Sequence, residues 1–243
     1  MNPALPLDNV RVVLSHTSHP GNIGATARAM KTMGLHNLYL VNPKSFPDNE
    51  ADARASSARD LLEKAHVCAS LQAAIGDTCL AVALTARPRD LPHQTLEARQ
   101  AAIELIKHAR HSPVALVFGR ESAGLTTAEI GHCQLTVHIP ANPGSSSLNL
   151  AAAVQIMAYE LRMALEDTTA VPLGNQPALA SLQDIENLHQ HLESIMIRSG
   201  FLDPQQPKRL MRRMRRMFAR TRLEKEEVNI LRGILSAIDA ERT

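Results

Sequence analysis

Short runs of β-branched and other apolar residues recur at Val10 to Leu14, Leu38 to Val41, Leu80 to Thr85, Val114 to Phe118 and Leu135 to Ile139. Between them lie stretches with helical spacing: Ile23 to Met33, Asp60 to Ile75, Leu96 to Ala109, a brief Thr127 to Gly131, and Leu148 to Glu166. Strands alternating with helices predict an α/β fold with a parallel sheet covered on both faces. The runs VALVF and LAVAL carry no polar residue at alternate positions, which predicts strands buried on both sides.

The pattern stops after Glu166. Asp167 to Ala180 carries Pro172, Gly174 and Pro177 without periodicity and reads as a linker. The expected division is an α/β domain over 1–166, a linker over 167–180 and a small all-helical domain over 181–243. In the last of these Ser181 can cap a first helix that Gly200 closes near Arg198. A second helix is predicted over about Gln206 to Arg220 and a third over Lys225 to Ala240. Leu210, Met214, Met217 and Phe218 form an apolar stripe on the second, with the methionines read as packing residues.

Net charge is only +2, but the positive excess is local. No acidic residue falls between Asp203 and Glu224, where Lys208, Arg209, Arg212, Arg213, Arg215, Arg216, Arg220 and Arg222 all lie. Such a block is an electrostatic footprint for a polyanion. Aromatic residues are 2% of the chain, too few for a base-stacking surface, so a nucleic acid would be held through phosphates and shape. The longest apolar runs are too short to cross a bilayer, and Met1 to Val10 lacks the features of an export signal. Cys68, Cys79 and Cys133 form an odd set without CxxC spacing, which fits free thiols in a reduced cytoplasm.

Three stretches sit where a strand gives way to a helix: GNIGATARAM from Gly21, VFGRESAGLT from Val117 and IPANPGSSSLNL from Ile139. In the first, Gly21 and Gly24 permit close backbone approach, Asn22 is a candidate helix cap and Arg28 projects one to two turns in. The spacing G-N-I-G is not a dinucleotide fingerprint. In the second, Thr126 and Glu129 make a capping box, while Gly119 ends a central strand, where an α/β sheet admits a ligand against bare backbone. In the third, prolines and small residues form a rigid loop with exposed amides, and Ser147 or Asn149 can cap the helix that follows. No metal set, nucleophile triad or phosphate loop competes with these three.

In order, spacing and company, HTSHPGNIGATARAMKTMGL, TARPRDLP, VALVFGRESAGLT, ANPGSSSLNLAAAVQIMAYE, RRMFARTR and VNILRGIL resemble the SPOUT-class RNA 2'-O-ribose methyltransferases, in particular the bacterial enzymes acting on tRNA. The resemblance spans nearly the whole chain. Its local departure is Gly144-Ser145, where relatives carry bulkier residues. It implies a deep trefoil knot, a homodimer with active sites at the subunit interface, and S-adenosyl-L-methionine as cofactor. By motif position the cofactor would meet Leu84, Thr85, Ala86, Gly119, Ile139, Ser146, Ser147 and Leu148. Arg28, Asn22 and Ser147 would serve methyl transfer, and Arg89 would handle the substrate together with Arg209, Arg212, Arg213, Arg216 and Arg220. Glu121 would order its loop.

The implied reaction is 2'-O-methylation of the cytidine or uridine ribose at nucleotide 32 of the tRNA anticodon loop. No metal and no membrane are involved. A guanidinium yields its proton only above about pH 12, so using one as a base at neutral pH would cost roughly 7 kcal/mol. Arg28 is therefore expected to orient the hydroxyl and a phosphate, with phosphate or water taking the proton. The alternatives are the same chemistry on ribosomal RNA, or a non-catalytic RNA-binding module with a vestigial pocket.

Overall fold

The computed structural model describes residues 6–86, 94–168 and 178–240. Two compact units divide the chain, Met1–Leu173 and Gly174–Thr243. The first is built on β1 (Val10–Ser15), α1 (Pro20–Met33), β2 (Asn37–Val41), α2 (Asn49–Ala55), α3 (Arg59–Glu63), β3 (His66–Cys68), α4 (Leu71–Ile75), β4 (Leu80–Leu84), β5 (Gln94–Glu97), α5 (Ala98–Ala109), β6 (Val114–Phe118), α6 (Thr127–Gly131), β7 (Leu135–His138) and α7 (Leu150–Thr168). The seven strands form one sheet in the order β3-β2-β1-β6-β4-β7-β5. Every pairing is parallel, as the sequence predicts.

Every residue of β6 is buried, and β4 is buried except at Leu84, because the central strands are covered on both faces. Parallel pairing puts the carboxyl ends of β1, β6, β4 and β7 side by side along one edge of the sheet. Helix α1 packs on α2 and α7. A Cβ on Gly24 would lie 2.0 Å from the Ala51 carbonyl oxygen, so glycine is required for α1 and α2 to approach this closely.

Several local expectations are corrected. The stretch Asp60 to Ile75 is not one helix: His66–Cys68 is a strand, flanked by α3 and α4. This strand is at the sheet edge, three residues long, with His66 and Val67 exposed, so it lacks the apolar run that marks a buried strand. Gln94–Glu97 is likewise a polar edge strand on β7, and the following helix starts at Ala98 rather than Leu96. Helix α1 begins at Pro20, whose missing N–H costs nothing in the first turn.

The second unit holds α8 (Leu182–Arg198), α9 (Leu210–Thr221) and α10 (Lys225–Ala240). Ser181 caps α8 by accepting from the Asp184 N–H, and Gly200, at φ +76°, takes the left-handed turn that ends it. Ala180, Leu188, Leu223 and Val228 form its core, with Ile185, Phe218, Leu231 and Leu235 packed around them. Helix α9 starts later than predicted, after Pro207 and Lys208, the latter at φ +49°. Met217 is 41% exposed and is not a packing residue, because α9 turns only the Phe218 flank of its apolar stripe toward that core.

Candidate active site

A cleft of about 810 Å³, counting its mouth, opens where β4, β6 and β7 end. Leu84, Thr85, Ala86, Gly119, Ile139, Ser146, Ser147 and Leu148 all line it, together with the loop from Arg120 to Leu125. The sheet order explains this gathering, since residues distant in sequence end neighbouring strands. Arg89 lies outside the described residues.

Gly119 lines the cleft, and a second constraint also acts on it. A Cβ there would fall 2.2 Å from both the Gly124 carbonyl carbon and the Leu125 nitrogen, so the glycine lets the loop fold back on its own strand. Arg120 and Gly124 exchange backbone hydrogen bonds at 3.3 and 2.9 Å and close that loop. The apolar walls from Leu84, Ile139 and Leu148, beside the hydroxyls of Ser146 and Ser147, suit a ligand that is part flat apolar ring and part polar chain.

Glu121 stands at the cleft and reaches the start of α1. Its carboxylate accepts from the Ser18 N–H (3.1 Å), the Ser18 hydroxyl (2.9 Å), the His19 N–H (3.2 Å) and the Asn22 amide (3.0 Å). The Ser18 and His19 N–H groups lie just ahead of α1, where the helix dipole favours an anion. Partial burial alone would push the carboxyl up, but the bonds from Asn22 and Ser18 outweigh it and hold it down at about 2. Glu121 is the loop-ordering residue in geometric terms.

Asn22 is not the helix cap; it sits inside the first turn, with His19 at the cap position. Its Oδ1 accepts from Asn149 Nδ2 at 3.0 Å. Asn149 in turn accepts from the Ala151 N–H at 2.9 Å, so it, and not Ser147, caps α7. Ser147 is exposed on the cleft wall. Arg28 is exposed on α1 and is not among the cleft-lining residues. Its guanidinium meets no hydrogen-bonding or ionic partner among the described residues.

A second network was not legible from sequence. Ser15, fully buried at the end of β1, donates to Glu129 Oε1 at 2.5 Å. Glu129 Oε2 takes Arg120 Nη1 at 3.0 Å and the Thr126 N–H at 2.6 Å. Burial would raise this carboxyl too, yet Ser15, Thr126 and Arg120 bring it down to about 2. The capping box that Thr126 and Glu129 were expected to form is present, and it also anchors a cleft arginine.

Among the described residues no group of three or more His, Cys, Asp or Glu could hold a metal ion, and no helix is long and apolar enough to cross a membrane. The three cysteines are free; burial pushes the Cys79 thiol up to about 11 and the Cys133 thiol up to about 12.

Residues 9–159 match the SpoU rRNA Methylase family, and residues 183–243 match the C-terminal domain of the tRNA methyltransferase TrmJ. The tRNA (cytidine/uridine-2'-O-)-methyltransferase TrmJ of Yersinia pestis (strain Pestoides F) is 47% identical over 239 residues, covering 97% of this chain and 93% of that one. The chain belongs to the TrmJ group of the SpoU methylase family. Another TrmJ-group relative, the tRNA (cytidine/uridine/adenosine-2'-O-)-methyltransferase of Pseudomonas aeruginosa (strain UCBPP-PA14), is 46% identical over 241 residues, or 95% of this chain and 93% of that one. The crystal structure of TrmJ from Z. mobilis ZM4 superposes with a TM-score of 0.84 at 30% identity, covering 94% of this chain and 98% of that one. The TrmJ-group fold thus extends through both units.

Proposed function

We propose that this chain transfers a methyl group from S-adenosyl-L-methionine to the ribose 2'-hydroxyl of cytidine or uridine at nucleotide 32 of the tRNA anticodon loop. The observation that carries the reading is the joining of three motif segments by Glu121, Asn22 and Asn149 beside one cleft. Membership of the TrmJ group gives the reaction and the substrate class.

The cofactor supplies an activated methyl on a sulfonium. Leu84, Thr85, Ala86, Gly119, Ile139, Ser146, Ser147 and Leu148 would hold it, since together they offer apolar wall, backbone amides and hydroxyls at one place. The protein's share is then positioning and charge accommodation around the attacking hydroxyl. Asn22 is fixed from both sides and can hold the ribose end of the nucleotide. Arg28, with its guanidinium uncommitted, would orient the hydroxyl and an adjoining phosphate, with that phosphate or water taking the proton. Because Arg28 stands off the cleft of its own chain, the reading includes a homodimer in which a second copy brings Arg28 to the site.

The reading also takes in the knotted chain path that the sequence resemblance implies. The helical second unit, with its basic face on α9, is the proposed tRNA-holding part, with Arg89 as a further substrate contact and the cytoplasm as the working compartment. The test is methyl transfer from labelled S-adenosyl-L-methionine to unmodified tRNA transcripts, with the product mapped by nuclease digestion. Label at the ribose of nucleotide 32, absent from a transcript with deoxyribose there, is the expected result; label only on ribosomal RNA, or on no RNA, overturns it.

A further inference from the structure

Helix α9 breaks a rule that its neighbours obey. Helices α8 and α10 carry acids in their first turns, Asp184 and Glu226 with Glu227, where the dipole favours them. The first turn of α9 has no acid, and Arg209, Arg212 and Arg213 crowd it instead. Like charges at i, i+3 and i, i+4 repel, as in Arg209 with Arg213, Arg212 with Arg216, and Arg216 with Arg220. None of these five guanidinium groups meets an ionic or hydrogen-bonding partner among the described residues. Arg215 differs: it points the other way and pairs with Glu186. Among the described residues of the second unit no carboxylate offsets the charge of these five arginines, so that face suits an anion from outside.

The arrangement is also regular. Arg212, Arg216 and Arg220 follow one another at four-residue spacing in a slanting row, each about 6 Å along the axis and about 40° around it from the next. That step is close to the separation of neighbouring phosphates along one strand of paired RNA. A second, shorter row of Arg209 and Arg213 runs beside it and ends at Met217, which is apolar. No aromatic residue lies on this face to stack an unpaired base; Phe218, the aromatic of the helix, packs on the core.

We infer that α9 lies along the backbone of a paired RNA stem, with Arg212, Arg216 and Arg220 meeting consecutive phosphates of a single strand and no base being read. This rests on the tRNA reading above and adds how the substrate is gripped: by the backbone of a stem, whatever its sequence. The contact supplies affinity, and selection of the target nucleotide is left to the cleft.

The test uses the full chain and a fluorescein-labelled RNA hairpin with a fully paired stem of arbitrary sequence, followed by anisotropy across a salt series. The hairpin should bind with an affinity unchanged by scrambling the stem. The unpaired strand and a DNA duplex of the same sequence should bind at least about tenfold more weakly at equal salt. Neutralising the row as R212Q/R216Q/R220Q should lower the slope of log affinity against log salt by about 2 to 3, while Arg→Lys at the same positions retains most of it. An unchanged slope in the neutralised variant, equal binding of the unpaired strand or the DNA duplex, or dependence on stem sequence overturns the inference. Far-UV circular dichroism and thermal melting confirm that each variant is folded. Methylation of tRNA by the unaltered chain is read in parallel: if it occurs while the hairpin results fail, only the stem contact is wrong, and if it does not occur, the functional reading itself falls.

Discussion

Asn22 and Glu121, 99 residues apart in sequence, are joined by a 3.0 Å bond from the Asn22 amide to the Glu121 carboxylate. The bond has a direction that its neighbours enforce. The Ala151 N–H fixes which end of Asn149 accepts, Asn149 then donates to Asn22 Oδ1, and Asn22 is left with only its amide hydrogens to offer Glu121. A polar line therefore runs from the start of α7 to the start of α1, and it closes only on an acceptor. Glu121 supplies that acceptor while it is ionised.

Replacing Glu121 with glutamine keeps the size and turns one acceptor end into a donor. Four donors already point at the carboxylate, so an amide hydrogen must face one of them. Glu121→Gln is expected to cost about 1–3 kcal/mol in urea unfolding and to lower methyl transfer at least about tenfold. The pH dependence has a definite sign. The folded carboxyl titrates at about 2 against an ordinary 4.5, so its stabilising contribution is complete above 4.5 and is lost as pH falls toward 2. The difference in melting temperature between the original chain and Glu121→Gln should shrink over that interval; a difference that stays constant from neutral pH down to 2 contradicts the assignment.

Ser15→Ala tests the buried network. It removes the fully buried hydroxyl that meets Glu129 Oε1 and leaves that oxygen, on a largely buried side chain, short of a hydrogen-bond donor. The expected loss is about 1–3 kcal/mol of stability. Because Glu129 also holds Arg120, cofactor affinity by calorimetry should fall several-fold although Ser15 does not line the cleft. A variant as stable as the original, with unaltered affinity, would show that Ser15 and Glu129 do not order Arg120.

These networks mark where sequence reading stops. The buried strands announce themselves because VALVF and LAVAL must be apolar at every position when both faces are covered, and the cleft follows from where those strands end. His66–Cys68 and Gln94–Glu97 escape because an edge strand needs no apolar run. Ser15 and Glu129 are 114 residues apart, and no local spacing signals a contact set by the sheet order. The helix caps fall between these cases: Ser181 is plain from its position, whereas Asn22 and Asn149 have side chains equally suited to capping or to pairing. Only the fold separates those roles.

Two glycines in one loop should respond differently to alanine. At Gly119 the new methyl would strike loop backbone at 2.2 Å, which no side-chain movement relieves. At Gly124 nothing lies within 4 Å, and the cost is only the left-handed φ of +67°. Gly124→Ala should lose about 1 kcal/mol, whereas Gly119→Ala should lose several times more and abolish cofactor binding by opening the loop. Comparable melting temperatures for the two variants would contradict the backbone-contact account.

Arg215 and Arg213, two residues apart on α9, should separate structural from substrate-facing charge. Arg215 forms a two-pronged pair with Glu186, and both side chains are about one-fifth exposed. Its Nη1 also approaches His189 Nδ1 at 3.4 Å, which makes that nitrogen the acceptor. Removing the guanidinium leaves a partly buried carboxylate without its cation, so Arg215→Gln should cost about 1–3 kcal/mol. Arg213 is exposed, and Arg213→Gln should stay within about 0.5 kcal/mol of the original or slightly stabilise the chain by easing repulsion. In tRNA binding the order should reverse: Arg213→Gln weakens affinity and lowers the salt slope, and Arg215→Gln, measured where it remains folded, leaves the slope intact. If both variants lost stability equally, or Arg215→Gln alone reduced the slope, the division of α9 into a pairing face and an anion-facing row would be wrong.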